Sequence, residues 1–247
     1  MSRQRKDRKA KAVIYALAIV CAFIIISVSF NRLSLIADSL LSGNRSQSPE
    51  IHRVIDKSEN TLLLVNASHE YQKQPLDLVS VFDYKSRSYL VKDKNVLLKK
   101  EAISALNDMM DDFQKETGLN NINVISGYRS VETQQELYNQ YMRTHGKAYT
   151  KKYVQKPGAS EHHTGYAVDF SIYYRDTGKS EDFTGQGEYG WITKNAYKYG
   201  FILRYPQDKA EITGIAYEPW HFRYVGKKAA KYIDSHSLCL EEYVNRG

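Results

Sequence analysis

The run from Ser160 to Tyr174 constrains this chain more than any other. Residues 167–174 alternate: Val168, Phe170 and Ile172 share one face, while Asp169 and Ser171 share the other. A strand of that pattern is half-buried and turns a carboxylate away from its apolar side. Two histidines, His162 and His163, stand just ahead of it. Imidazole and carboxylate are both zinc ligands. Far downstream, Glu218-Pro219-Trp220-His221 supplies a further histidine and a glutamate. Three ligands and a spare carboxylate make the inventory of a catalytic zinc site with one open position. Pro219 disfavours helix at Glu218, so this is no helical His-Glu-x-x-His site, and the ligands have to converge from separate strands and loops. Adjacent strand residues point to opposite sides, so only one of His162 and His163 easily faces a shared site. Spacing leaves that choice open. Each residue also has a plainer reading: a surface histidine, a turn-capping Asp169, a solvated Glu218.

The surrounding pattern is of helices interleaved with short strands. A short buried strand or extended segment, Leu62-Leu63-Leu64-Val65, opens the folded region near Thr61. Residues 76–91 carry short apolar pieces broken by polar ones, an irregular layer. Ile103, Leu106, Met110 and Phe113 follow three-four spacing, which predicts a helix over 99–117 with Gly118 as its C-cap. Asn123-Val124-Ile125-Ser126 reads as a strand ending at Gly127. A second helix starts near Ser130, carries Gln134, Gln135, Leu137 and Tyr138, and ends before Gly146. Further on come a helix over 191–199 stopped by Gly200, a strand over 201–205 stopped by Pro206, a last strand over 220–225, and a polar helix from Lys227. With no regular βαβ alternation, the fold class is α+β. The 20 tyrosines read mostly as core and surface filler rather than as an aromatic-lined groove.

The chain's beginning has a different character. Residues 12–30 are almost wholly apolar, about the length of a bilayer-spanning helix. Arg3, Arg5, Lys6, Arg8, Lys9 and Lys11 precede them, with Asp7 the one acid. Five of the seven net positive charges therefore sit in this tail, which by the positive-inside rule is cytoplasmic. The remainder has no basic face and no nucleic-acid motif. Four parts follow: a basic tail over 1–11, one transmembrane helix over 12–30, a polar linker over 31–60, and an extracytoplasmic domain over 61–247. Ser27-Val28-Ser29 weakly resembles a signal-peptide cleavage site, and an uncleaved anchor is preferred to it. Cys21 lacks a lipobox-like small residue before it, and with Cys239 as the other cysteine there is no disulfide framework.

Four ordered blocks carry a resemblance. Ser160-Glu161-His162-x-Thr164-Gly165-x-Ala167-Val168-Asp169 resembles the Ser-x-His-x-x-Gly-x-Ala-x-Asp signature of the VanY-like D-alanyl-D-alanine carboxypeptidases. Ser126-Gly127-Tyr128-Arg129-Ser130 with Gln134 resembles their upstream block, and residues 200–206 and 217–226 their later ones. The resemblance runs from about Thr61 to the C-terminus. It implies a small antiparallel sheet with flanking helices and a cleft holding one zinc ion. It implies His162, Asp169 and His221 as ligands, Glu218 as general base and acid, and Arg129 as the group that binds substrate oxygens. Gln134 and Ser160 would line the same pocket. His162 is thereby selected over His163, which stands where relatives often carry glutamine; Tyr166 likewise replaces a frequent leucine. Neither departure touches a metal position, but both bear on pocket shape.

The implied substrate is the stem peptide of peptidoglycan, whose end carries a free carboxylate suited to an arginine. Removal of a terminal D-alanine across a D,D bond is the favoured reaction. An L,D-carboxypeptidase acting on tetrapeptide stems is the enzymatic alternative, with a cross-link-cutting endopeptidase behind it. A non-catalytic zinc-containing wall-binding module is the alternative from another class. Against that module stands the presence of all three ligands, the base and the arginine.

Overall fold

The computed structural model describes residues 60–246. The predicted basic tail, transmembrane helix and nearly all of the linker lie outside the described residues. Within them, no helix is long and apolar enough to cross a membrane.

A six-stranded sheet forms the centre, in the order β2 (Leu90–Val91), β4 (Ile122–Ser126), β5 (Ala167–Tyr174), β8 (His221–Tyr224), β7 (Phe201–Leu203), with β6 (Lys179–Asp182) also pairing β5. The expected antiparallel sheet is there, except that β2 and β4 run parallel. A separate antiparallel pair joins β1 (Leu78–Ser80) to β3 (Leu97–Lys99). The longest strand, β5, is the axis. β4 lies along one side, while β8 and β6 share the other, each taking half its length.

One face of the sheet is covered by helix α1 (Lys100–Thr117). Its apolar stripe, including Ile103, Leu106, Met109, Met110 and Phe113, packs with Val124, Val168, Phe170, Ile172 and Phe222 into the main core. Gly118 ends the helix in the left-handed conformation (φ 76°) and returns its N–H to Gln114 O, as a C-cap glycine does. A second, smaller core joins Leu64, Ile202 and Val225 to helices α4 (Lys227–Ser235) and α5 (Leu240–Val244).

Two helices lie on the β4–β5 connection. α2 (Val131–Thr144) starts where expected, with Ser130 Oγ accepting from Thr133 N–H at 3.1 Å. α3 (Gly146–Tyr153) was not expected. Leu62–Val65 takes the second of its two expected forms: a 3-10 turn, Asn60–Leu62, leads into a buried non-strand segment that includes Leu64 and Val65. Two other expectations need correction. β7 stops at Leu203, two residues short of the predicted end. His162 and His163 sit on a 3-10 turn, Glu161–Thr164, rather than on strand. Thr164 holds that turn locally, donating to Glu161 O at 2.6 Å and accepting from Tyr166 N–H at 3.1 Å.

Candidate active site

Register builds the site. In β5, Asp169 stands opposite Ser126 of β4 on one side and His221 of β8 on the other. Directly opposed residues point to the same face, so His221 is carried to Asp169 across 52 positions of sequence. The two meet at 2.8 Å, His221 Nδ1 to Asp169 Oδ1. His162 comes from the turn that feeds β5, and its Nε2 lies 3.1 Å from Asp169 Oδ2. Its Nδ1 is taken by the Gly127 carbonyl at 2.6 Å, so Nε2 is the atom that faces the cluster. The ligand atoms of His162, Asp169 and His221 all lie within 4.8 Å of one another. Two imidazoles and one carboxylate converging on one point fit the ligand set of a catalytic zinc site.

His163 goes elsewhere. Its Nδ1 meets Arg129 O at 2.7 Å, and its Nε2 accepts from Gly158 N–H at 3.1 Å. The two histidines do diverge, although through a turn and not through strand alternation. His163 ties the loop carrying Arg129 to the loop that leads into Ser160.

Arg129 follows β4 and reaches over Asp169, with Nη2 3.9 Å from Oδ2. It donates from Nη1 to Gln134 Oε1 at 2.7 Å and from Nη2 to Ser126 Oγ at 2.8 Å. Gln134 is 1 % exposed and spends its Nε2 on Gln155 O at 2.7 Å. It therefore aims Arg129 from behind, while Ser160 lines the wall without a side-chain hydrogen bond among the described residues. Glu218 is 6 % exposed and fixed by its backbone, with its N–H donating to Tyr205 O and its C=O accepting from His221 N–H, both at 3.2 Å. All seven predicted residues border one cleft of about 160 Å³.

The charges are uneven. Burial, with Asp169 nearby, pushes the Glu218 carboxyl up to about 8 against the pull of His221 and Arg129. Burial would depress His221, but the hydrogen bond to Asp169, the facing Glu161 carboxylate and the charges of Asp169 and Glu218 raise it to about 9. Burial wins at His162, which is lowered despite Asp169. Asp169 overcomes its burial through both histidines and lies well below the usual carboxylate range.

Several contributors escaped the sequence reading. Tyr141, Tyr149, Tyr153 and Tyr205 line the cleft, so a minority of the tyrosines do form an aromatic wall. Tyr141, His145 and Tyr149 stack with centroids 5.0 and 4.8 Å apart, and Tyr149 meets Tyr153 at 4.7 Å. Their four-residue spacing along α2 and α3 was the available signal. Behind the ligands, Glu161, Arg204, Arg223 and Glu241 form a buried ion network. An arginine inside the apolar run Phe201-Ile202-Leu203-Arg204 was its signal, since buried charges are paired.

The family model described as VanY, D-alanyl-D-alanine carboxypeptidase, matches residues 95–227. The chain belongs to the VanY family. It is 41 % identical to the putative carboxypeptidase YodJ of Bacillus subtilis (strain 168) over 194 residues, covering 78 % of this chain and 70 % of that one. Among solved structures it resembles the LD-carboxypeptidase LdcB, described for its recognition of peptidoglycan, at 39 % identity and TM-score 0.65; 76 % of this chain and 86 % of that chain are covered. It also resembles a variant of the D,D-pentapeptidase VanY of a VanB-type resistance cassette, solved with Zn(II). There the identity is 33 % and the TM-score 0.61, with 75 % of this chain and 99 % of that chain covered. The α+β architecture with its small sheet is that of these VanY-family structures. The matched region contains all seven cleft residues and stops before α5.

Proposed function

We propose that this chain is a zinc carboxypeptidase that removes the C-terminal D-alanine from peptidoglycan stem peptides, preferring the D,D bond. It would work outside the cytoplasm, held to the membrane by residues 12–30 as a single-pass anchor. The observation that carries the reading is the convergence of His162, Asp169 and His221 on one point in a cleft that also presents Glu218 and Arg129. The activity named for the family and the Zn(II) found in a relative support it.

A zinc ion held by His162 Nε2, Asp169 and His221 Nδ1 would supply an acidified water and a polarising contact for the scissile carbonyl. Glu218 handles the protons. Its carboxylate makes no hydrogen bond among the described residues, and its raised pKa suits a group that takes a proton at one step and returns it at another. It would accept the proton of the attacking water and deliver it to the departing amine of D-alanine. Arg129, braced by Gln134 and Ser126, presents a fixed guanidinium edge to the substrate's terminal carboxylate or carbonyl oxygen. The tyrosine wall leaves apolar surface for the stem residues ahead of the scissile bond.

Mass spectrometry of stem peptides incubated with the zinc-loaded protein tests the reading. Loss of one alanine from a pentapeptide is the expected outcome. Loss from a tetrapeptide alone would instead favour the L,D reaction, which the 39 % identity to LdcB keeps as the second reading. No shortening of either peptide would favour a wall-binding module. Glu218→Ala should lower turnover by roughly 10²–10⁴-fold while bound zinc, measured by mass spectrometry of the metal, stays stoichiometric. Near-normal turnover would remove Glu218 from the role.

A further inference from the structure

His221 has a second side. Its Nδ1 faces Asp169, and its Nε2 faces Glu161 Oε2 at 3.6 Å. Both Nε2 and Oε2 are buried and lack a hydrogen-bond partner. Unpaired buried polar atoms are costly, and two that face one another across a gap slightly too long are a bond waiting on a small movement. The other oxygen of Glu161 is fully used: Arg204 Nε donates to Oε1 at 2.6 Å, and Arg223 Nη1 lies 3.0 Å from it. The two guanidinium groups hold the carboxylate ionised against complete burial and leave Oε2 for His221. Behind them the chain continues the pairing. Arg204 donates from Nη1 and Nη2 to Glu241 of α5, at 2.9 and 2.6 Å. Arg223 Nη2 donates to the carbonyls of Thr61 and Leu63 at 2.9 and 3.0 Å. An imidazole that binds metal through one nitrogen generally gives its other N–H to a carboxylate or carbonyl, which fixes the tautomer and the ring.

We propose that Glu161 is a positioning residue for the metal centre: it accepts the Nε2–H of His221, commits Nδ1 to the metal, and is itself held in place by Arg204 and Glu241 of the C-terminal helix. The inference rests on the zinc reading of His162, Asp169 and His221 and adds what stands behind it. It extends the site to Glu241, beyond the region that the family model matches.

The test uses the full chain and zinc, with affinity read by competition against a chromogenic chelator. Glu161→Gln and Glu161→Asp should each weaken zinc roughly 10- to 100-fold, and Glu241→Gln should weaken it less, in the same direction. In ¹H NMR the Nε2–H of His221 should exchange slowly with water in the zinc-loaded native protein and faster in zinc-loaded Glu161→Asp. That variant keeps the charge that the arginines require and withdraws the oxygen by one methylene. If Glu161→Gln does not fold, Glu161→Asp and the peripheral Glu241→Gln carry the measurement. Native zinc affinity and an unchanged Nε2–H exchange rate in folded Glu161→Asp would overturn the proposal and leave the zinc site standing. A native protein that binds no zinc would overturn both.

Discussion

His221 turns each ring nitrogen towards a carboxylate, and that arrangement sets its response to pH. Its pKa is raised to about 9, so the metal-free protein carries it protonated at neutral pH. A raised histidine pKa stabilises the metal-free fold fully below the unfolded value of about 6.5, and that contribution is lost as pH climbs through about 9. Metal binding runs the other way, because the ligand nitrogen must first give up its proton. Zinc affinity should therefore rise from pH 6 towards pH 9, with about one proton released per ion at pH 7. Calorimetry in buffers of different ionisation enthalpy measures that number, and zero release would contradict the protonated His221. Arg129 supplies the second prediction at this scale. A hydrogen bond to a charged group is worth about 1.5–3 kcal/mol, so Arg129→Ala should lower kcat/KM by roughly 10- to 100-fold. Gln134→Ala should lower it less, since Ser126 still braces the guanidinium. The cleft residues were legible one at a time because ligand chemistry is local to a side chain. Glu161 was not, although it lies between two residues that were singled out. Its role depends on two arginines 43 and 62 positions away, whose approach no spacing rule encodes.

Elements were legible where periodicity and caps agreed. α1 has both an apolar stripe and Gly118, and β5 alternates in sequence from Val168 to Ile172, although Ser171 is buried as well. α3 has neither, since Thr150 is its one buried residue. The turn Glu161–Thr164 escaped because Thr164's own hydroxyl makes it, against the reading of strand. The cleft depends on how tightly these elements approach one another. Gly127, whose carbonyl holds His162, packs so closely that an added Cβ would collide with Leu97 O, a backbone atom. Gly127→Ala should cost about 1–3 kcal/mol and depress activity beyond its effect on melting temperature, because Arg129 lies two residues on. Phe113, fully buried between α1 and the sheet, is the contrasting case. Phe113→Ala should cost about 3–5 kcal/mol, yet zinc affinity at a temperature where the variant stays folded should be close to native. Denaturant titration combined with zinc competition separates the two behaviours.

For the whole molecule, the apolar run at 12–30 predicts that the full chain sediments with membranes. Removing residues 1–30 should shift it to the soluble fraction with kcat unchanged; a native chain already in that fraction would argue against the anchor. The folded part also joins its own ends. Asn66 Nδ2 donates to Glu241 Oε1 at 3.2 Å, and Arg223 reaches the carbonyls of Thr61 and Leu63. Glu241, which completes the pairing of Arg204 next to the ligand shell, is residue 241 of 247. Glu241 lies 80 positions beyond Glu161, the carboxylate it backs through Arg204. A single cut between His221 and Glu241 would leave every proposed ligand in place and still strip Arg204 of a counter-charge, so limited proteolysis there should loosen the site without removing one ligand.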